Sequence, residues 1–375
     1  MKEKKHKNKL FLCVITLTVT NNLESDQRVN KVATSLHKFG YEVEVVGCKS
    51  RPCKPYQKEY ATKRLNVFFK RGVLFYAEIN IRFFFHLIFS DADIFTANDT
   101  DALAGTYLAA KLRHKPLVVD LHELFPEVPE VTNRKFVKGV WTKIEDWILP
   151  KVKHGYTVCQ SIADYYKDRY GVNLNVVRNM PSYKCLDDIP STTINSIPAD
   201  KKIILYQGAV NVGRGVEWII DAMPFVREDA VFVVAGKGDL YDELKTKAND
   251  RIIFLGHIPY AELASITRRA SIGVCLLKNQ GLSYYYALPN RVFDMIQCHV
   301  PILATDFPEI HRIVATYETG KLISDYSHKS LANTINSMLD EPIDHEKFSK
   351  VATELCWEKE EEKLKMIYES AETDK

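Results

Sequence analysis

Two doubly wound α/β domains facing each other across a cleft are the fold this sequence predicts, and three observations carry the prediction. Short apolar runs rich in Val, Ile and Thr alternate with helical patterns along the chain, the mark of parallel strands with helices on both faces. The length of 375 residues exceeds one ordinary core and suits two domains of roughly 150–200 residues each. The alternation breaks once, over residues 181–200, where three prolines and several Ser and Thr interrupt all periodicity before it resumes.

Taken in order, the first strand is "LFLCVITLTV" (10–19). With the lysine-rich start before it, this stretch has the basic and then apolar profile of a secretory signal. It is, however, β-branched, lacks a small-x-small cleavage site and runs straight into a site-forming loop, so it is read as a strand. "QRVNKVATSLHKFG" (27–40) follows as a helix whose Gly40 fits the C′ position. "YEVEVVGC" (41–48), "DIFTAND" (93–99), "PLVVDLH" (116–122) and "GYTVCQ" (155–160) are further buried strands, and "TDALAGTYLAAKLRH" (100–114) is a strong helix. After the break come the strands "KIILYQG" (202–208), "AVFVVAGKG" (230–238), "RIIFLGH" (251–257), "SIGVCLL" (271–277) and "PILATD" (301–306), with a helix from 215 and others between them. The expected organisation is a domain at 1–180, a linker at 181–200, a second domain at 201–352, and a closing amphipathic helix at 353–375 that can return to the first domain.

Composition narrows the class. An apolar content of 46% and a charged content of 26% are those of a soluble globular protein. No apolar run reaches the ~18–20 residues needed to span a bilayer, and nothing points to a nucleic-acid partner. The net charge of +3 is uneven: residues 1–190 carry +9 and residues 191–375 carry −6. The basic half either meets an anionic partner or is a solvated face. The eight cysteines show no C-x-x-C pair and no zinc-like spacing with His. They read as small hydrophobes in a reducing, cytoplasmic compartment. Segment 63–90 interleaves Lys63, Arg64, Lys70, Arg71 and Arg82 with eight Phe or Tyr residues. That composition suits an interfacial helix beside anionic lipid at the inner face of a membrane, and it equally suits a helix that covers a sheet.

In a doubly wound sheet, ligands gather beyond the carboxyl ends of the strands, where helix N-termini offer free N–H groups. The second domain has several loops placed there. "YQGAVNVGRG" (206–215) brings Gly208 and Arg214, suited to an anion, or else forms a plain βα turn with a surface Arg. "VAGKGDLYDEL" (234–244) opens like a dinucleotide fingerprint with Gly236 and Gly238, but Leu240 and Tyr241 stand where the third Gly is expected, so it is weak evidence. "LGHIPYAEL" (255–263) ends a strand whose backbone can line a base. "ALPNRVFDMIQ" (287–297) opens a helix at Pro289, with Asn290 and Arg291 toward phosphates and Asp294 one turn on, able to accept ribose hydroxyls.

Together with "SDQRVNKVATSLHKFGYEVEVV", "LVVDLHELFPE", "VVRNMP" and a closing "WEKE", these motifs resemble family 4 of the retaining glycosyltransferases, over nearly the whole chain. The resemblance implies the GT-B fold and transfer from a nucleotide diphosphate sugar, held mainly by the second domain, to a glycan or lipid-linked acceptor held mainly by the first. No metal or other cofactor is implied. It places the base near His257 and Ile258 and the ribose on Asp294. The diphosphate falls on the Gly208 loop, Arg214 and the helix starting at Asn290, with Gly236, Gly238, Leu288, Pro289 and Arg291 in the same donor set. His122 corresponds to the family histidine that faces the donor sugar, which makes His122 and Arg214 the expected catalytic pair. Asp26, Arg28 and Glu123 fall on the acceptor side.

Three departures from the family pattern stand out. Tyr286 replaces the first of two acids spaced eight apart, Ala209 replaces the Arg after the phosphate-loop Gly, and Asn21 and Asn22 replace a glycine pair after the first strand. The tripeptides "DAD" (91–93) and "DTD" (99–101) resemble a metal site but stand apart from any phosphate loop. Competing readings are an epimerase of the same fold and a catalytically silent nucleotide-sugar-binding protein. A nicotinamide dehydrogenase is disfavoured, because no G-x-G-x-x-G follows the first strand.

Overall fold

The computed structural model describes residues 12–24, 26–49, 57–190, 197 and 200–374. The basic start of the secretory-signal reading therefore lies outside the described residues, as does Cys53. Among the described residues, thirteen strands form two parallel sheets. The first contains β1 (Val14–Thr18), β2 (Glu42–Cys48), β3 (Ala61–Leu65), β4 (Ile94–Asn98), β5 (Leu117–Leu121), β6 (His154–Thr157) and β7 (Asn175–Val176) in the order β3-β2-β1-β4-β5-β6-β7. The second contains β8 (Lys202–Gln207), β9 (Ala230–Ala235), β10 (Ile252–Gly256), β11 (Ile272–Cys275), β12 (Ile302–Thr305) and β13 (Gly320–Ile323) in the order β10-β9-β8-β11-β12-β13. Each order reverses once, at β1/β4 and at β8/β11, which is the doubly wound pattern whose crevice lies at the reversal.

The apolar runs named from sequence all become strands, inner ones except for β10 at an edge; every residue of β4, β9, β11 and β12 is buried, with helices on both faces. "VITLT" is β1 at the centre of the first sheet, bonded on one side to β2 and on the other to β4. Three strands escaped the sequence reading, and all are edges. β3 is the charged "ATKRL", β7 has two residues, and β13 is "GKLI". These three are short or charged, so they lack the run that marks an inner strand; the fourth edge, β10, keeps an apolar run and is legible. Segment 63–90 accordingly begins inside β3, and its helix spans only Gly72–Ile88.

Helix His345–Glu354 packs Phe348, Val351 and Ala352 into the second core. The next helix, Trp357–Thr373, packs Trp357, Leu364, Ile367 and Tyr368 into the core around Ile15, Leu17 and Val45 of the first sheet. Polar bonds fix it there: Trp357 Nε1 donates to Ser35 Oγ at 2.8 Å, Ser35 Oγ donates to Glu361 at 2.8 Å, and Tyr368 OH meets Thr96 Oγ1 at 2.9 Å. The two halves also meet directly. Ser161 donates through its N–H and its hydroxyl to buried Glu309, at 2.8 and 2.6 Å. Leu282, Tyr286 and Leu288 of the second domain pack against the core of the first.

Candidate active site

A cleft of about 560 Å³ opens between the two sheets at the carboxyl ends of their strands. Gln27, Lys31, Glu123, Asn179 and Pro181 wall it from the first domain. Gln207, Gly208, Ala209, Arg214, Tyr260, Leu263, Pro289, Asn290, Arg291 and Asp294 wall it from the second. Of the residues expected at the donor or acceptor, Gly208, Arg214, Pro289, Asn290, Arg291, Asp294 and Glu123 are thus brought together.

The phosphate-side geometry begins with a backbone arrangement only glycine permits. Gly208 follows β8 with φ +121° and donates its N–H to Ala235 O at 2.9 Å. A Cβ on Gly236 would sit 1.8 Å from Gly208 O, and one on Gly238 would sit 2.6 Å from Val210 O. Gly236 and Gly238 therefore let the 236–240 turn press against the 208–211 loop; they support that loop from behind and do not line the cleft. Beside Gly208, Arg291 stacks over the Tyr206 ring at 4.5 Å, and Arg214 lies over the Tyr284 ring at 4.8 Å. Arg291 Nη1 and Arg214 Nε are both buried without a hydrogen-bond partner. Buried donors are nearly always paired in folded proteins, so two unpaired guanidinium N–H groups beside one loop mark a place where an acceptor is missing.

Helix Asn290–Gln297 starts behind Pro289, and helix Tyr260–Thr267 starts in the same way behind Pro259. Both present their first residues to the cleft, where free N–H groups and the positive dipole end favour an anion. Asp294, one turn along the first of them, accepts from Gln207 Nε2 at 3.2 Å. Burial pushes its carboxyl up to about 6, against the pull of Lys31, Gln207 and Arg291. Lys31 reaches in from the first domain, donates to Met180 O at 2.5 Å and lies 5.1 Å from the Trp357 ring. Burial and the neighbouring Arg28 lower its ammonium to about 7.

Several expected residues sit elsewhere or are already engaged. His257 is exposed beyond the end of β10, Ile258 packs against the second core, and Leu288 packs against both cores; none of the three lines the cleft. Of the same segment, Tyr260 and Leu263 line the cleft. Asp26 is the N-cap of helix Gln27–Lys38: one carboxylate oxygen accepts from Val29 N at 2.9 Å and the other from Asn21 Nδ2 at 2.6 Å. Arg28 is buried, with Nε and Nη2 forked onto Asp120 and Nη1 on Val177 O at 3.0 Å, so its donors are spent inside the protein.

His122 follows β5 into the same network. Its Nδ1 is 3.0 Å from Asp99 and its Nε2 is 2.9 Å from Asp120, while its backbone N–H donates to Asp99 at 2.6 Å. Burial alone would lower the imidazole, but the Asp120 and Asp99 carboxylates hold it well above its ordinary value. Asp120 is held at about 2, because Arg28 and His122 outweigh the cost of burying it. Asp99 adopts φ 62°, ψ 169°, a region almost confined to glycine, and such strain collects at functional sites. Next to it, burial and the Asp99 and His122 charges act on Glu123, and the net result is a carboxyl raised above the usual range.

The departures also have places. Tyr286 packs against the first domain, Ala209 lines the cleft, and the side chains of Asn21 and Asn22 close turns onto Leu23 N and Glu24 N at 2.8 and 3.3 Å. In the D-x-D tripeptides, Asp93 holds Lys115 at 3.0 Å, Asp99 holds His122, and Asp101 accepts from Thr20. The sequence reading missed Lys31, Gln207, Tyr260, Leu263, Asp99 and Asp120. Two of these left a mark: the polar Gln207 ends an apolar strand directly before Gly208, and "HIPY" repeats the helix-opening pattern of "ALPN".

Comparison with known proteins places these features. Residues 27–180 match the family model described as Glycosyltransferase Family 4, and residues 201–341 match that of Glycosyl transferases group 1. Among curated proteins, the chain is 20% identical to a phosphatidyl-myo-inositol mannosyltransferase of Mycobacterium leprae over 298 residues, 76% of each chain. It is 24% identical to a chitobiosyldiphosphodolichol beta-mannosyltransferase of Yarrowia lipolytica over 182 residues, 46% of this chain and only 38% of that protein. Among solved structures, the sucrose-phosphate synthase of Thermosynechococcus elongatus superposes with a TM-score of 0.76 at 17% identity, covering 96% of this chain and 98% of that one. Anabaena Alr3699/HepE in complex with UDP-glucose superposes with a TM-score of 0.67 at 13% identity, over 96% of this chain and 98% of the other.

Proposed function

Since the chain belongs to glycosyltransferase family 4 and has the two Rossmann-like domains of the GT-B fold, we propose that it transfers a sugar, with retention at the anomeric carbon, from a nucleoside diphosphate sugar to a glycan or lipid-linked acceptor. The setting we assign is cytoplasmic synthesis of surface polysaccharide or glycoconjugate. The observation that carries the reading is one buried, unpaired guanidinium donor on each of Arg214 and Arg291, Nε of the first and Nη1 of the second, beside the Gly208 loop. The mannosyltransferase relatives and the UDP-glucose complex of a structural neighbour support a nucleotide-sugar donor.

In this reading the diphosphate lies between Gly208, Arg214, Arg291 and the start of helix Asn290–Gln297, and the ribose hydroxyls donate to Asp294. When the bond from the anomeric carbon to the diphosphate breaks, negative charge grows on the leaving phosphate. The two guanidinium groups and the helix dipole are already aimed at that charge, so little reorganisation is needed. The acceptor hydroxyl approaches on the same face and its proton passes to the leaving phosphate. His122 stays protonated between two carboxylates and so is assigned a positioning role, holding Asp99 and Asp120 behind Glu123, rather than that of a base. Glu123, the acid of the first domain that reaches the cleft, is assigned to the acceptor. The phosphate charge is assigned to the protein's own cations and N–H groups, with no metal invoked.

The test is Arg214→Ala. Release of nucleoside diphosphate during transfer should fall by roughly 10²–10³, while the thermal midpoint stays near that of the parent, because Arg214 is only partly buried and holds no core contact. Unchanged turnover in the folded variant refutes the assignment.

A further inference from the structure

Helix Gly72–Ile88 is apolar on both sides. Ile79, Phe83 and Leu87 point inward and are fully buried. The opposite stripe, Leu74, Ile81, Phe85 and the capping Phe89, faces water with 59%, 58%, 55% and 83% of its surface exposed. The spacing of seven, four and four residues keeps these side chains in one row. A helix that is apolar all round is ordinarily covered on every side, and here half of it is bare. The loop before it adds Phe68, 84% exposed, and Phe69. That loop is not loosely held: Glu78 accepts the N–H groups of both phenylalanines at 2.9–3.0 Å and also binds Arg82 at 2.7 Å. The phenylalanines are thereby fixed beside the helix row, and together they enclose an apolar groove of about 870 Å³.

The charges around this face are one-sided. Residues 63–90 contain Lys63, Arg64, Lys70, Arg71 and Arg82 against the single acid Glu78; Arg82 is paired with Glu78 and Arg64 with Glu24, and Lys63, Lys70 and Arg71 are the exposed cations of the segment. We propose that this face is a docking surface for an anionic lipid bilayer, with the phenylalanine row seated at the headgroup and acyl boundary and the basic residues against lipid phosphates. The geometry is that of a helix lying in the interface plane; no described helix is long and apolar enough to cross a membrane. A second copy of the chain fits the face poorly, since a two-fold contact sets the cations of one copy against those of the other. The position also connects to the cleft. The other flank of the same helix walls an apolar groove of about 380 Å³ with Tyr76, Phe125 and Trp141, and Phe125 lies two residues after Glu123 of the cleft.

The experiment is sedimentation of the full chain with vesicles of phosphatidylglycerol and phosphatidylcholine, and with phosphatidylcholine alone, across a salt series. Binding to the anionic vesicles should exceed binding to the neutral ones and fall steeply with salt. Lys70→Ala with Arg71→Ala should weaken it on the order of 30-fold, each basic residue near the surface being worth about fivefold. Phe68→Ser with Phe85→Ser should abolish stable binding while leaving the thermal midpoint intact, since both side chains are exposed. Three results overturn the proposal: no binding at low salt, phenylalanine variants that bind like the parent, or a concentration-dependent dimer that the phenylalanine variants dissolve. The readout is vesicle binding and not transfer, so its failure leaves the transferase reading untouched.

Discussion

At the scale of single residues, the account turns on what each polar group has left to offer. Arg28 and Asp26 have nothing left, because their donors and acceptors are spent on Asp120, Val177 O, Val29 N and Asn21. Arg214 and Arg291 do, and so does Asp294, whose partner among the described residues is Gln207 at 3.2 Å. Asp294→Ala is expected to weaken the free nucleoside diphosphate and the intact donor together, by roughly 10- to 100-fold, the worth of about one charge-assisted hydrogen bond. The effect carries a pH signature. Burial raises this carboxyl to about 6, and only the ionised form accepts from two hydroxyls, so the affinity gap between parent and variant should narrow as pH falls below about 6. Calorimetric titrations at several pH values check both points; equal affinity before and after the substitution places the ribose elsewhere. Sequence pattern found these residues because glycine, proline and a lone acid at strand ends have local meanings. It did not separate Arg28 from Arg291, since which guanidinium is spent depends on Asp120, which is 92 positions away from Arg28.

At the scale of elements, the inner strands and the helices were legible because burial on two faces demands an apolar run, and amphipathic helices demand a period. Three of the four edges were not: β3, β7 and β13 are short or charged, and register with a neighbour makes them strands. The 236–240 turn resembles the opening of a dinucleotide fingerprint only weakly in sequence, and close packing on the 208–211 loop accounts for both of its glycines. Gly236→Ala should therefore cost about 2 kcal/mol or more in stability, through a Cβ forced against backbone at a conformation near φ 156°. Donor affinity should fall with it as the anion loop is displaced. Gly139→Ala is the contrasting case: that glycine lies within helix Lys135–Ile148 with open space around it, and alanine there should stabilise by about 0.5–1 kcal/mol. Thermal unfolding of both variants decides, and a Gly236→Ala protein as stable as its parent would show that the two loops are not packed as described.

At the scale of the whole molecule, two parallel sheets turn the carboxyl ends of their strands toward one cleft, and the chain crosses it twice. It leaves the first domain near Pro181 and returns through Trp357, whose N–H donates to Pro181 O at 2.8 Å. The crossings, with the Ser161–Glu309 contact and the packing of Tyr286 and Leu288 on the first core, set the wall of Gly208, Arg214 and Arg291 opposite Lys31 and Glu123. The division of labour follows: the second domain holds the unpaired cations and the helix starts, and the first brings an acid and an apolar face toward the acceptor side. The central claim is that the cleft holds a nucleoside diphosphate by its phosphates. A crystal structure of the protein soaked with a nucleoside diphosphate tests it most directly. The account predicts a diphosphate within hydrogen-bond distance of Arg214 Nε, Arg291 Nη1 and the N–H groups around Gly208, with the ribose on Asp294. A nucleotide seated away from both arginines, or an empty cleft at saturating nucleotide, would contradict it.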